Sequence, residues 1–141
     1  MNIKIALYLL LACCVFFIPS HAKTPPEPEA YVYIISPVNG EVVNSPVLVK
    51  FGLRGMGIAP AGAEIKNTGH HHLLIDVQVL PDTTKPIPSD ENHVHFGKGQ
   101  TEALVELSPG THSMQLLFAD FVHIPHDPII LSKPIIIHVA E

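Results

Sequence analysis

Fourteen prolines scattered through 141 residues decide most of what this chain can become. Proline lacks a backbone donor and clashes with the preceding turn, so it ends or kinks a helix it enters. Here it interrupts every window long enough for a long helix, and no segment sustains apolar residues at i, i+3, i+4 and i+7. Between the prolines lie short runs rich in β-branched and aromatic residues, at 31–35, 47–53, 71–80, 101–107, 111–119 and 134–140, with a further short strand at 41–43. Turn-forming stretches join them, among them Ser36-Pro37-Val38-Asn39-Gly40 and Leu107-Ser108-Pro109-Gly110-Thr111. The expectation is an all-β fold, a two-sheet sandwich of about seven strands.

Neighbouring side chains on a strand point to opposite sides, and alternation therefore assigns faces. Val47, Val49 and Phe51 share one side, as do His71, Leu73, Ile75, Val77 and Val79, and also His112, Met114, Leu116 and Phe118. These are the expected inward faces. Opposite them stand Lys50, His70, His72, Asp76 and Gln78, which suit solvent or a binding site. Two connections, 54–69 and 81–100, are long, and such loops in a compact domain are usually functional or mobile.

Residues 1–22 open with Lys4, run apolar from Ile5 to Ile18, break at Pro19 and end in Ser20-His21-Ala22, a small-x-small cleavage pattern. This reads as a secretory signal peptide, which predicts a periplasmic or secreted protein without a transmembrane segment after cleavage. Leu10-Leu11-Ala12-Cys13 also resembles a lipoprotein box, leaving lipidation at Cys13 as an alternative. Cys13 and Cys14 both leave with the leader, so the mature chain has no disulfide and no thiolate ligand. Residues 23–30, with Thr24-Pro25-Pro26-Glu27-Pro28-Glu29, read as an extended Pro-rich tether that packs against nothing, and 31–141 as the folded domain. Eight Lys and Arg against thirteen Asp and Glu, with no basic cluster, exclude a phosphate-tracking nucleic-acid surface.

The run Ile34 to Gly40 followed by Pro46-Val47-Leu48-Val49-Lys50-Phe51 resembles the first two strands of bacterial immunoglobulin-like domains. Glu106 to His112 resembles the corner between two late strands of such sandwiches, with His112 where a tyrosine often stands. An imidazole there can make a similar bond to the backbone. Gly69-His70-His71-His72-Leu73-Leu74-Ile75-Asp76, His93-Val94-His95-Phe96-Gly97-Lys98-Gly99-Gln100-Thr101-Glu102, Leu107 to His112, and the stretch from Asp120 to Pro128 resemble a family of small secreted bacterial proteins, the domain of unknown function of type 4399. That resemblance implies membership and brings no activity.

Ten histidines outnumber the basic residues, and their spacing carries the chemical signal. His70 and His72 project from the same side of an extended strand, and His93 and His95 repeat that spacing. Asp120-Phe121-Val122-His123-Ile124-Pro125-His126-Asp127 adds two imidazoles and two carboxylates in one loop. His70, His72, His93, His95, His123 and His126 are thus the expected metal ligands, and imidazole suits copper and zinc. His71 and His112, on inward faces, read as structural, and His138 as a surface strand residue. Gly97-Lys98-Gly99 reads as a simple turn, and covalent catalysis has no visible nucleophile. The leading expectation is a secreted or periplasmic protein that captures or carries copper or zinc without turnover. The alternatives are a metal-free immunoglobulin-like module that binds a protein of the cell envelope by its loops or a strand edge, and a metal-dependent enzyme.

Overall fold

A computed structural model describes residues 22–141, and the expected signal peptide up to residue 21, with Cys13, lies outside the described residues. The ten strands are β1 (Tyr31–Ser36), β2 (Val42–Val43), β3 (Val47–Arg54), β4 (Gly57–Ile58), β5 (Thr68–Ile75), β6 (His93–His95), β7 (Glu102–Val105), β8 (Gly110–Ala119), β9 (Pro125–Leu131) and β10 (Ile135–Val139). Because β2, β4 and β6 have only two or three residues each, seven longer strands carry the architecture. The sequence runs anticipate six of those seven. The missing one is β9, whose Pro125 and Pro128 disguise a strand that pairs with β8. Among the described residues no helix is long and apolar enough to cross a membrane.

The strands form one sheet in the order β1-β3-β7 and a second in the order β2-β10-β8-β5-β4, with β6 added beside β5 and β9 beside β8. The chain is an all-β sandwich. Its main core lies between the sheets, where Val32, Val47, Val49 and Phe51 meet Leu73, Ile75, Met114, Leu116, Phe118 and Ile137. His71 belongs to this layer, its ring 5.2 Å from those of both Phe51 and Phe118. Alternation thus assigns the inner faces correctly up to Ile75. The expected strand to residue 80 stops earlier, because Asp76 turns to a positive φ of 57°. Val77 and Val79 therefore leave the inward face, and Val79 is 82% exposed.

The outer face of β5, expected to meet solvent or to form a site, is covered and not solvated. His70, His72 and Leu74 are buried there, together with Leu117 and Ala119 of β8. The long 81–100 connection supplies the cover: Ile87 packs with Leu74, Leu117 and Ala119 in a second apolar cluster. Its amide donates to the carbonyl of His123 at 2.9 Å, fastening that connection to the loop after β8. The 54–69 connection is fastened as well, through Ala59 N to Gly69 O at 2.8 Å, Ala61 N to Gly97 O at 2.9 Å and Gly62 N to Phe121 O at 2.8 Å. Both long loops are layers of the domain.

Residues 23–30 also depart from the unpacked tether. The Thr24 hydroxyl lies 2.7 Å from Nδ1 of His126, the Asp127 amide donates to the Thr24 carbonyl at 3.2 Å, and Asn67 donates to Glu27. Removing residues 23–30 is expected to cost about 2 kcal/mol through these hydrogen bonds, seen as a melting temperature lower by about 8 °C. An unchanged melting temperature in differential scanning calorimetry would mean that the segment contributes nothing to stability.

Candidate metal centre

Two residues of β5 and one of β6 begin the site. Pairing places His72 opposite His95, and His70 lies two residues along β5 on the same face. β5 reaches this position because Gly69 lets it close on β8, where any side chain would strike the Ala119 carbonyl and the Phe118 ring. A fourth imidazole arrives from the turn after β8. Oδ1 of Asp120 accepts from the amides of Val122 and Ile124, each at 3.0 Å, and that tight turn holds His123 at a φ of 70°.

His70, His72 and His95 form a nearly equilateral group, with ring centroids 4.9, 5.0 and 5.0 Å apart. His123 lies over it at 5.0, 6.0 and 4.7 Å from His70, His72 and His95. The four rings mark the corners of a slightly distorted tetrahedron. A tetrahedron with edges near 5 Å has its centre about 3.1 Å from each corner, and an ion held at about 2.0–2.1 Å by an imidazole nitrogen sits about 3.2 Å from that ring's centre. The cage has the dimensions of a single ion.

The nitrogens of three of these rings agree, and His123 joins the group by its ring position alone. One ring nitrogen from each of His70, His72 and His95 lies within 4.8 Å of those of the other two. Nε2 of His70 and Nε2 of His72 are 3.1 Å apart, against about 3.3 Å for two nitrogens on one tetrahedral ion. Nδ1 of His70, Nδ1 of His72 and Nε2 of His95 are buried with no hydrogen-bond partner, although buried polar atoms are normally satisfied. Burial, reinforced by neighbouring imidazoles, lowers His70 to about 3 and His72 to about 2, and lowers His95 as well. The rings are consequently neutral at pH 7, with lone pairs free for an ion. His70 and His72 are fully buried, whereas His95 and His123 are half-buried.

The other histidines go elsewhere. His93 shares a face with His95, but its Nδ1 is 2.8 Å from Oδ1 of Asp90, which draws the ring away along a local turn. His126 is buried under Thr24 and stacked 5.9 Å from Phe118. The structure thus brings four of the six expected ligands together and leaves His93 and His126 outside. His71 has the structural position expected of it: Nδ1 donates to the Gln100 carbonyl at 3.3 Å, and burial lowers its pKa to about 4. His112 donates from Nε2 to the Ser108 carbonyl at 2.9 Å, the backbone bond anticipated for a corner residue, and its Nδ1 lies 2.7 Å from Asp76. That bond to the Asp76 carboxylate raises its pKa.

Spacing does not reveal Gly97, on which the cage also depends. A Cβ at this position would overlap the His95 ring. Gly97→Ala is expected to push that ring out of place and weaken metal binding at least tenfold, with the fold intact, in a chelator competition assay. Unchanged affinity would remove His95 from the ligand set.

Compared with family models, residues 49–140 match a domain of unknown function, DUF4399. Neither the curated proteins nor the solved structures contain a significant match.

Proposed function

Since the chain belongs to the DUF4399 family, whose definition carries no activity, we propose from the site itself that the protein captures or carries one copper or zinc ion through His70, His72, His95 and His123, without turnover. The observation that carries this reading is the near-tetrahedral arrangement of four imidazole rings at separations that suit one ion. Four imidazole rings gathered at this spacing, two of them with Nε2 atoms 3.1 Å apart, are what a single ion held by imidazole nitrogens requires. Turnover has little support, since the candidate ligand group among the described residues contains only imidazoles and no carboxylate to act as a base. The leader-like first 22 residues support a periplasmic or secreted location, where such an ion would be met.

The test is equilibrium dialysis of the mature chain, made without a histidine tag, against copper and against zinc, followed by elemental analysis. The expected result is one ion per chain, lost when His70, His72 and His95 are all replaced by Leu. Equal uptake by that variant, or none by the parent, would contradict the proposal. The metal-free interaction module draws support from a different surface: Tyr31, Tyr33, Leu48 and Leu104 are exposed on the three-stranded sheet. Retention of a cell-envelope protein by that face, unaffected by the triple variant, is the result this second reading predicts.

A further inference from the structure

The chemistry of the cage narrows which ion it suits. Its donors are uncharged: the candidate ligand group among the described residues is His70, His72 and His95, the fourth ring is His123, and the groups acting electrostatically on His70 and His72 are themselves imidazoles. Asp120, the carboxylate closest in sequence to His123, spends Oδ1 on the amides of Val122 and Ile124. An ion entering here is surrounded by imidazole dipoles, and no carboxylate belongs to the donor group among the described residues.

That composition discriminates by charge. The cost of moving an ion from water into a low-dielectric interior rises with the square of its charge, so a divalent ion pays about four times the penalty of a univalent one of equal size. Structural zinc sites commonly offset it with thiolates, and many catalytic ones with a carboxylate or a bound hydroxide. With His70 and His72 fully buried, the cage offers neither. Shape discriminates in addition. Divalent copper prefers a square-planar or tetragonal set, and four rings on a square would have diagonals about 1.4 times its edges. The six centroid separations, from 4.7 to 6.0 Å, are instead those of a distorted tetrahedron. Monovalent copper has a filled d shell, imposes no square geometry and accepts imidazole.

We propose that the ion this cage selects is Cu(I), held by His70, His72, His95 and His123, in preference to Cu(II) and Zn(II). This rests on the metal-binding reading above and deepens it. The half-buried His95 and His123 are the side through which the ion passes, and the buried pair on β5 is the fixed floor.

The experiment is an anaerobic competition titration of the mature protein with Cu(I) against bicinchoninate, with parallel titrations of Cu(II) and Zn(II) against chelators of known affinity. Voltammetry of the copper-loaded protein accompanies it. Cu(I) is expected to bind at least tenfold more tightly than either divalent ion, and the copper reduction potential to rise by about 59 mV for each tenfold preference over Cu(II). His123→Asp introduces the missing counter-charge at a position whose positive φ aspartate tolerates. It is expected to keep copper binding while lowering the Cu(I) preference at least tenfold, so the potential falls by at least about 59 mV. His95→Asp provides the same test from β6. Tighter binding of Zn(II) or Cu(II) by the parent protein, or an unchanged preference in both aspartate variants, would overturn the assignment of Cu(I) and leave metal binding standing. Uptake of none of the three ions would overturn both.

Discussion

Acidification from pH 7 to pH 5 is expected to cost the metal-free protein about 6 kcal/mol of stability, enough to unfold it if it is an ordinary domain of about 5–15 kcal/mol. The cause is burial, which lowers His70, His71 and His72 to about 3, 4 and 2. In the unfolded chain each titrates near the ordinary value of about 6.5. Between those values the unfolded state binds protons that the folded state refuses, so stability falls as pH falls. At pH 5 the gap is about 1.5 pH units for each residue, or about 2 kcal/mol at about 1.36 kcal/mol per unit. His112 acts in the opposite direction, since its bond to Asp76 raises its pKa and favours the folded state in acid. It is one partly exposed group against three buried ones and only moderates the loss. Urea unfolding between pH 7 and pH 4.5 measures the effect directly. A stability constant over that interval would mean that the three rings are not buried in neutral form.

The same shifts change how metal is lost in acid. The sequence alone suggests gradual competition by protons as pH falls through the ordinary histidine range toward about 5. In the folded site His70 and His72 take up no proton until far lower pH. Release is therefore expected to be cooperative, coinciding with unfolding.

Replacing both His70 and His72 with Leu is expected to abolish metal binding and yet stabilise the metal-free protein in acid. Leucine is close to histidine in volume and apolar, and the double change removes the Nε2 to Nε2 contact together with both unpartnered Nδ1 atoms. Removing both partners of a buried polar contact for apolar groups of similar shape is often neutral or favourable. At pH 5 it also removes two of the three groups that bind protons only when unfolded, a gain of about 4 kcal/mol. His71→Ala should behave oppositely, retaining metal and losing about 2 kcal/mol through the cavity left between Phe51 and Phe118. Chemical denaturation with a parallel metal assay separates the cases. A double variant less stable than the parent at both pH 7 and pH 5 would make His70 and His72 packing residues and contradict a site maintained at the expense of stability.

Much of this arrangement is legible in the sequence. Strand periodicity separates His71 from its neighbours and places it with Leu73 in the main core, while His70 and His72 share the opposite face. What periodicity cannot supply is the covering layer, because Ile87 lies in a connection with no strand pattern and reaches Leu74 and Leu117 only through the tertiary fold. A polar face therefore reads as solvent-facing or as a site, with no sign of its cover. The repeated spacing of His93 and His95 cannot tell that Asp90, three residues before His93, draws that ring aside. His126 is likewise occupied by Thr24 from the far end of the described chain, beyond the reach of local spacing. β9 stays hidden because prolines argue against strands, although Pro128 lies between the residues that make its ladder with β8.

The central claim, that four imidazoles converge on one ion, is tested most directly by X-ray absorption at the metal edge of the loaded protein. The account predicts a first shell of three or four nitrogen scatterers at about 2.0 Å, with the outer-shell signature of imidazole rings, reduced by one ring in His95→Ala. A first shell dominated by carboxylate or water oxygens, or one unchanged in that variant, would contradict it.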